Sequence, residues 1–199
     1  RLLDEPRGAV RDQLAGDAIG RRADTRHRAE RVRVDERCDV PIEPEDTLGS
    51  LCFGKIFPMG VAGLVEVADQ VVAGKAPAIA QYEPNAGYEG IIREAETRIN
   101  WANHVDIIFN LIRGCDPAPG AWTTADGKKL FLFNATKRIA RTFSEVKGKK
   151  IGEVVAITNG ALVIHGQGGF IEIARARPDG GRKGVAADAG VAVGTILGG

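Results

Sequence analysis

The sequence of 199 residues lacks several features that would assign a function class directly. No run approaches the ~18 uninterrupted apolar residues that a membrane span requires, and no signal-peptide pattern is found. The cysteines, Cys38, Cys52 and Cys115, form no CxxC pair, which indicates neither a disulfide framework nor a zinc site. A net charge of +1 argues against a strongly basic protein. We therefore expect a cytoplasmic protein with reduced thiols, no metal and no membrane partner.

Residues 1–40 also lack lysine and aromatic residues. They hold 10 of the 18 arginines beside 9 acidic residues, and their few large apolar residues keep no helical or strand period. Such a segment can bury little apolar surface to offset the entropy lost on ordering. We predict that residues 1–40 are atypical and disordered, or that they result from a frameshift as explained below.

Helical patterns follow from Pro41 onward. Asp46 and Thr47 can cap a helix, and Pro58 is expected to separate it from a second helix that ends at Gly74. Residues 98–199 begin with another amphipathic helix, which we expect Asn103 to cap and Gly114 to end. Its apolar positions have spacings of three and four: Val105, Ile108, Phe109 and Ile112.

The pattern then changes to an alternation of period two. Strands are predicted at 128–134, 151–158, 161–166 and 170–177, and Asn159-Gly160 is a strong hairpin signal. The stretch "DPAPGAW" before them is read as a turn. Four or five short strands after a helix predict a small antiparallel barrel.

Several of these segments resemble the tetrahydrofolate-dependent formyltransferase family. The matching pieces occur in the family's order over about four-fifths of the chain: "EDTLGSL", "VAGKAP", "YEG", "INW", "LIRG", "PGAW" and "AGVAVGTILGG". The resemblance implies an α/β plus all-β fold, in which residues 41–76 are the last helices of an α/β formyltransferase domain. Residues 77–97 would be a linker, and 98–199 a C-terminal β-barrel of the oligonucleotide-binding type.

The resemblance also implies a chemistry. The family uses 10-formyltetrahydrofolate as co-substrate, and the acceptor would be methionyl-tRNA, a small amine or water. Its catalytic set is an Asn, a His in an "HPSLLP"-like loop and an Asp in a "D-x-LD[TE]G"-like loop. The sequence has no His-Pro pair, so we expect the Asn and the His upstream of residue 1. Asp35 in "VDE" is the candidate for the Asp, although Arg37 stands in place of the motif's glycine.

A frameshift would explain the composition of the first residues. The family continues from an "LLPRHRG"-like loop into "PSAINWP", whereas this chain reads "LLDEPRG" and then "AVRDQLAG". Codons permitted for Ala9 to Ala15, shifted by one base, can encode Pro-Ser-Ala-Ile-Asn-Trp-Pro. We therefore hypothesise that residues 9–37 are frameshifted and that the chain is an incomplete copy. Sequencing the coding DNA refutes this if the shifted frame does not extend the family match.

A basic segment suggests an alternative, non-catalytic function. Glu145 is the only acidic residue among six basic ones: Lys137, Arg138, Arg141, Lys147, Lys149 and Lys150. Residues 91–199 hold 15 basic and 10 acidic residues, so this segment could bind RNA, or it could be a solvated loop. The alternative function is accordingly a barrel module that binds RNA or a partner protein.

The remaining conspicuous residues have structural explanations. Trp101 and Trp122 are expected to pack in the core, with ligand stacking as the alternative. His104 is expected at the surface, and His165 on the polar face or at an edge of a strand, since no second metal ligand is near. The glycines of "HGQGGF" indicate a bulged hairpin more strongly than a phosphate-binding loop.

Overall fold

A computed structural model of the chain describes residues 40–76, 87–88 and 90–199. The described residues divide into two compact units, one comprising 40–44 and 50–76 with the few residues described up to 90, the other comprising 45–49 and 91–199. Residues 1–39 lie outside the described part, and so do the predictions of disorder and frameshift made for them.

Helix α1 runs without interruption over Leu48–Val72. Its middle turn, Cys52–Ile56, is a π-helix, and Phe57–Val72 returns to α-helical geometry with Pro58 in its first turn. The break expected at Pro58 is therefore wrong: the N–H of Phe57 bonds Cys52 O, five residues back, and this wider turn accommodates a residue that has no N–H of its own. The predicted stop is confirmed, because Gly74 has φ +66° directly after the last turn.

The apolar side chains of helix α1 are not covered. No residue of Cys52–Val72 is buried, and Val61, Leu64 and Val65 are each more than half exposed. An 18-residue window of the helix has a mean hydropathy of 1.6, so by length and composition it could cross a membrane. An amphipathic helix that packs on another domain meets the same criterion, and the absence of a membrane partner stays a prediction.

Helix α2, Val105–Gly114, has the predicted end and the predicted buried face. All four apolar positions identified from the spacing are buried: Val105, Ile108, Phe109 and Ile112. Its cap differs from the expected Asn103. His104 is the N-cap, and its Nδ1 accepts a hydrogen bond from the Asp106 N–H at 3.3 Å, because an imidazole nitrogen can satisfy a free N–H of the first turn as a hydroxyl can.

Six strands form one antiparallel sheet: β1 Ala121–Ala125, β2 Lys128–Ile139, β3 Val154–Thr158, β4 Ala161–Gly166, β5 Gly169–Pro178 and β6 Gly184–Val185. Their order is β1-β2-β5-β4-β3, with β6 also paired to β5. The four predicted strands and the Asn159-Gly160 hairpin are confirmed, and both turn residues have positive φ. β1 was missed because its five residues follow directly on a Pro- and Gly-rich turn.

The sheet is antiparallel as predicted, but no ladder joins β1 to β3 in the described part of the chain. The outer edges of these two strands instead bond the C-terminal residues 194–199, here called the clasp. Val154 N donates to Thr195 O and Gly194 N to Val154 O, both at 2.8 Å, and Gly198 N donates to Thr124 O at 2.9 Å. The closed barrel of the oligonucleotide-binding type thus stays a prediction, and the clasp connects the ends of an open sheet.

The core lies between helix α2 and one face of the sheet. Leu130 and Leu132 of β2 belong to it, together with Ile171 and Ile173 of β5. Trp101 is also buried here, and its Nε1 donates to Thr123 Oγ1 at 2.9 Å, so the core interpretation of Trp101 is confirmed. Helix and sheet bury a continuous apolar cluster, which is the main source of stability for such an arrangement.

Substitution of Gly198 tests the clasp. Gly198 has φ +87°, and an added Cβ would stand 2.8 Å from Trp101 Cδ1. We expect Gly198→Ala to lower the free energy of unfolding by about 1–3 kcal/mol more than a matched control, because an extra methyl is forced against a buried ring. The measurement is urea unfolding followed by Trp fluorescence.

The control is Gly180→Ala. Gly180 also has positive φ, +69°, but its added Cβ meets nothing within 4 Å, so both variants have the conformational cost of a left-handed alanine and only one has the steric contact. Equal losses in the two variants would show that the clasp does not depend on close packing at Trp101.

Candidate functional site

The catalytic candidate Asp35 lies outside the described residues, and the site that the structure describes is the basic segment 137–150. This segment comprises the last residues of β2, a short loop, the single-turn helix α3 Phe143–Val146 and the approach to β3. The hairpin between β4 and β5 lies against it, where Ala140 N donates to Gly168 O at 3.0 Å. Gly166 pairs with Gly169, so "HGQGGF" is a hairpin as predicted, but the register of β4 and β5 is regular and the expected bulge is not found there.

Glu145 organises the segment. Its carboxylate accepts from the N–H groups of Arg141 and Thr142 at 3.0 and 3.1 Å, and Arg138 Nη1 donates to it at 2.5 Å. The hydrogen bond from Arg138 is the main cause that holds the pKa of Glu145 below its ordinary value. The single acid among six bases thus fixes the loop conformation and neutralises one cation.

The six cations predicted to bind RNA divide into two groups. Lys137 forms an ion pair with Asp106, whose pKa is lowered first of all by this hydrogen bond, and Lys149 donates to Glu145 O at 2.5 Å. Three others have no side-chain hydrogen bond or ion pair within residues 40–76, 87–88 and 90–199: Arg141, Lys147 and Lys150. Half of the predicted set is therefore available for an anionic ligand.

A cleft of about 430 Å³ opens beneath this loop. Its walls include Arg141, Phe143, Val146 and Ile151, together with His165 from β4. His165 is only 6% exposed, and its Nδ1 lies 3.0 Å from Lys150 O. His165 lies on the face of β4 opposite to the core residues Leu162 and Ile164, as expected, but this face is not exposed, because the basic segment covers it.

A second cationic surface was not recognised in the sequence. It lies on the face of β1, β2 and β5 opposite to the main core, here called the outer face. There Lys129 Nζ lies 4.3 Å from the ring centroid of Trp122, and Arg177 Cζ lies 4.4 Å from that of Phe131. Lys183 Nζ lies 4.1 Å from the ring centroid of Phe133. Phe131 and Phe133 are buried, outside the main cluster. The sequence signal for this surface was the alternation of Leu and Phe in "KKLFLFN", which places the two Phe side chains on the face opposite to the two Leu side chains. β5 supplies Arg177 directly opposite Phe131.

Trp122 belongs to this surface and is only partly buried. Its ring lies between Lys129 and Arg98, whose Cζ is 5.4 Å from the centroid, and its Nε1 donates to Glu94 O at 2.7 Å. The prediction that Trp122 packs in the core is therefore wrong, since β1 places it on the outer face, beside Phe131.

Within the part of the chain that the structure describes, neither a metal site nor a reactive thiol at Cys115 is indicated. Among the described residues, no three of the types His, Cys, Asp and Glu are placed to hold a metal ion. Cys115 is 1% exposed, and burial raises the pKa of its thiol, which leaves it protonated and unreactive.

The domain is a small α+β domain that consists of an open antiparallel sheet, one packed helix and a cationic loop. Sequence comparison gives the family of this domain. Residues 91–189 match the formyl transferase C-terminal domain. The chain therefore belongs to the formyltransferase family through this C-terminal part, and the resemblance proposed from its short motifs is confirmed.

Three relatives indicate how much of a longer protein the chain represents. It is 41% identical over 103 residues to the cytosolic 10-formyltetrahydrofolate dehydrogenase of Homo sapiens, covering 52% of this chain and 11% of that protein. It is 34% identical over 142 residues to the human mitochondrial 10-formyltetrahydrofolate dehydrogenase, covering 69% and 15%. The methionyl-tRNA formyltransferase of Moorella thermoacetica is 31% identical over 129 residues, covering 63% and 41%. The chain thus spans a minor part of each relative.

The fold is also found in a crystal structure of HypX from Aquifex aeolicus in complex with tetrahydrofolic acid. The TM-score is 0.63 with 22% identity, and the match covers 76% of this chain and 27% of HypX. At this identity the likeness establishes the fold alone.

Removal of Arg138 tests the role of Glu145. In Arg138→Gln the carboxylate loses its main hydrogen bond from a cation, so the pKa of Glu145 should rise toward its ordinary value. The lowered pKa stabilises the fold above the ordinary pKa of a Glu, and this contribution is lost as the pH falls through the lowered value. Carboxyl ¹³C NMR titration measures the change. In Arg175→Gln, on β5, the pKa of Glu145 should stay unchanged, and an equal rise there would contradict a specific pair.

Proposed function

We propose that this chain is the C-terminal part of an enzyme that uses 10-formyltetrahydrofolate as one-carbon donor. The observation that carries the proposal is the match of residues 91–189 to the formyl transferase C-terminal domain, together with relatives named for 10-formyltetrahydrofolate and for methionyl-tRNA formylation. The reaction would be formylation of methionyl-tRNA or a small amine, or hydrolysis of the formyl group, and we propose the cytoplasm as its location.

The described residues do not provide the chemistry of this reaction. The Asn and the His of the family's catalytic set have no counterpart in the sequence, and Asp35 is outside the described part. No folate-binding group is found among the residues that the structure describes, so we derive no catalytic step. We propose instead that the chain supplies surfaces that support a formyl-transfer domain of a longer protein.

Helix α1 is the segment proposed to belong to that domain and to pack against the rest of it. Its apolar side chains are exposed although they repeat at helical spacing, as in Val61, Leu64 and Val65. An apolar stripe of this kind indicates burial against a further element. We accordingly propose residues 41–76, with the single helix α1, as the last helical segment of the formyl-transfer domain, 77–97 as the linker and 98–199 as the C-terminal domain.

A chimera tests this function. Residues 41–199 are joined behind the part of the Moorella methionyl-tRNA formyltransferase that precedes its matched region. We expect formylation dependent on 10-formyltetrahydrofolate in the chimera and no turnover by the chain alone. The double substitution Val61→Asp and Val65→Asp should lower kcat/KM by about tenfold or more, because the charges disrupt docking of the catalytic domain.

The control for the chimera is Glu66→Gln in the same helix, on an exposed side chain whose Oε1 accepts from Gln70. It should leave kcat/KM within about twofold of the parent, since exposed changes of this kind have small effects. The aspartate variant should also leave the unfolding of the isolated chain nearly unchanged. An inactive but folded parent chimera would contradict the proposed function.

A second candidate function is binding of RNA by the basic segment, as a module without chemistry of its own. The specific observation in its favour is that Arg141, Lys147 and Lys150 have no ion pair within the described residues. Cations that are not neutralised by the protein release counterions from a nucleic acid when they bind its phosphates. This candidate does not require the missing catalytic residues.

Salt-dependent affinity tests the RNA candidate. Changing Arg141, Lys147 and Lys150 to Gln should weaken binding of tRNA and reduce the slope of log Kd against log salt by about 2–3, since each phosphate contact contributes about 0.7–0.9. The matched control changes Lys128, Arg175 and Arg182 to Gln, which removes the same charge from positions outside the segment. Equal slopes for the two triple variants would attribute binding to net charge alone.

A further inference from the structure

The cleft beneath the basic segment contains a polar atom that the protein itself does not use. His165 is 6% exposed, and its Nδ1 lies 3.0 Å from Lys150 O. A carbonyl oxygen only accepts, so Nδ1 carries the hydrogen, and Nε2 of the neutral ring is a hydrogen-bond acceptor. Within the described residues Nε2 has no protein partner, and no side-chain nitrogen or oxygen fully shielded from solvent lacks one. Nε2 is therefore reached by solvent, and His165 is one of the residues that line the cleft.

The ring of His165 is held in a fixed orientation. The centroid of the His165 ring lies 5.5 Å from that of Phe170, and the two ring planes are tilted by 45°. Arg138 Cζ lies over the Phe170 ring, 4.4 Å from its centroid. Arg138 is in turn held by Glu145. An acceptor fixed in this way loses little conformational entropy when a ligand binds to it.

The other residues that line the cleft differ in character from His165. Arg141 is one of them, and its guanidinium has no partner within the described part; Phe143 is another, and this residue is 76% exposed. Val146 and Ile151 provide apolar walls. Of the acids beside the cleft, Glu145 forms an ion pair with Arg138, and the carboxylate of Glu153 accepts from the N–H of Lys150.

These groups specify a complementary ligand. We propose that the cleft is a binding site for a purine mononucleotide, which no part of the proposed function requires. An N–H of the base donates to His165 Nε2, the planar base lies against Phe143 and the apolar walls, and the phosphate binds Arg141. The volume of about 430 Å³ lies in the range of small-molecule sites.

The proposal separates the contribution of the phosphate from that of the base. AMP is titrated into the full chain with isothermal calorimetry and ¹H–¹³C NMR of the histidine rings, in parallel with adenosine and inorganic phosphate. We expect AMP to bind more tightly than either of the other two, and the ring signals of His165 to shift. Arg141→Gln should weaken AMP about tenfold and leave adenosine within about twofold, since one charge-assisted hydrogen bond is lost.

Two further variants keep the test independent of folding. Phe143→Ala alters an exposed ring and should weaken both AMP and adenosine, whereas Arg182→Gln, in the turn before β6, should affect neither. Absence of AMP binding at millimolar concentration, or equal binding by the parent, Arg141→Gln and Phe143→Ala, would overturn the proposal. Equal affinity for AMP and inorganic phosphate would overturn it as well, because the cleft would then recognise only an anion.

Discussion

The C-terminal domain depends on how the two ends of an open sheet are connected. β1 and β3 would each present a row of unpaired N–H and C=O groups, and edges of this kind are costly when covered and prone to association when exposed. The clasp bonds both edges, through Thr124 on β1 and Val154 on β3. It also packs Gly198 against Trp101, which joins the edge connection to the main core.

The candidate site is a consequence of the same sheet. β2 extends past the core to Ile139, and its last residues meet the β4–β5 hairpin at Gly168. This places the basic segment over His165, so that a loop rich in charge covers a strand face that alternation alone would expose to water. Glu145 then fixes the loop by accepting from Arg138 and two backbone N–H groups. These hydrogen bonds connect both ends of the loop that lines the cleft.

Sequence reasoning was most reliable where a periodic pattern faced a single core. The buried face and end of helix α2 were predicted residue by residue, and so was the Asn159-Gly160 turn, since spacing and turn chemistry are local properties. It failed at two places where an unusual local geometry decided the outcome, and at one where tertiary structure did. Pro58 did not break helix α1 because a π-turn accommodated it, and His104 rather than Asn103 caps helix α2. Trp122 was assigned to the core, yet β1 turns it toward Lys129 and Arg98.

The sequence by itself determined the family, the amphipathic helix α2 and most strands, because each of these depends on the order and spacing of residues along the chain. Only the tertiary structure decided which cations remain available and which polar atoms face the cleft. Ion pairs such as Lys137 with Asp106 join residues 31 positions apart, and His165 is covered by a segment about 15 residues before it. Contacts between residues so distant in sequence follow from the pairing order of the strands, which no local pattern specifies.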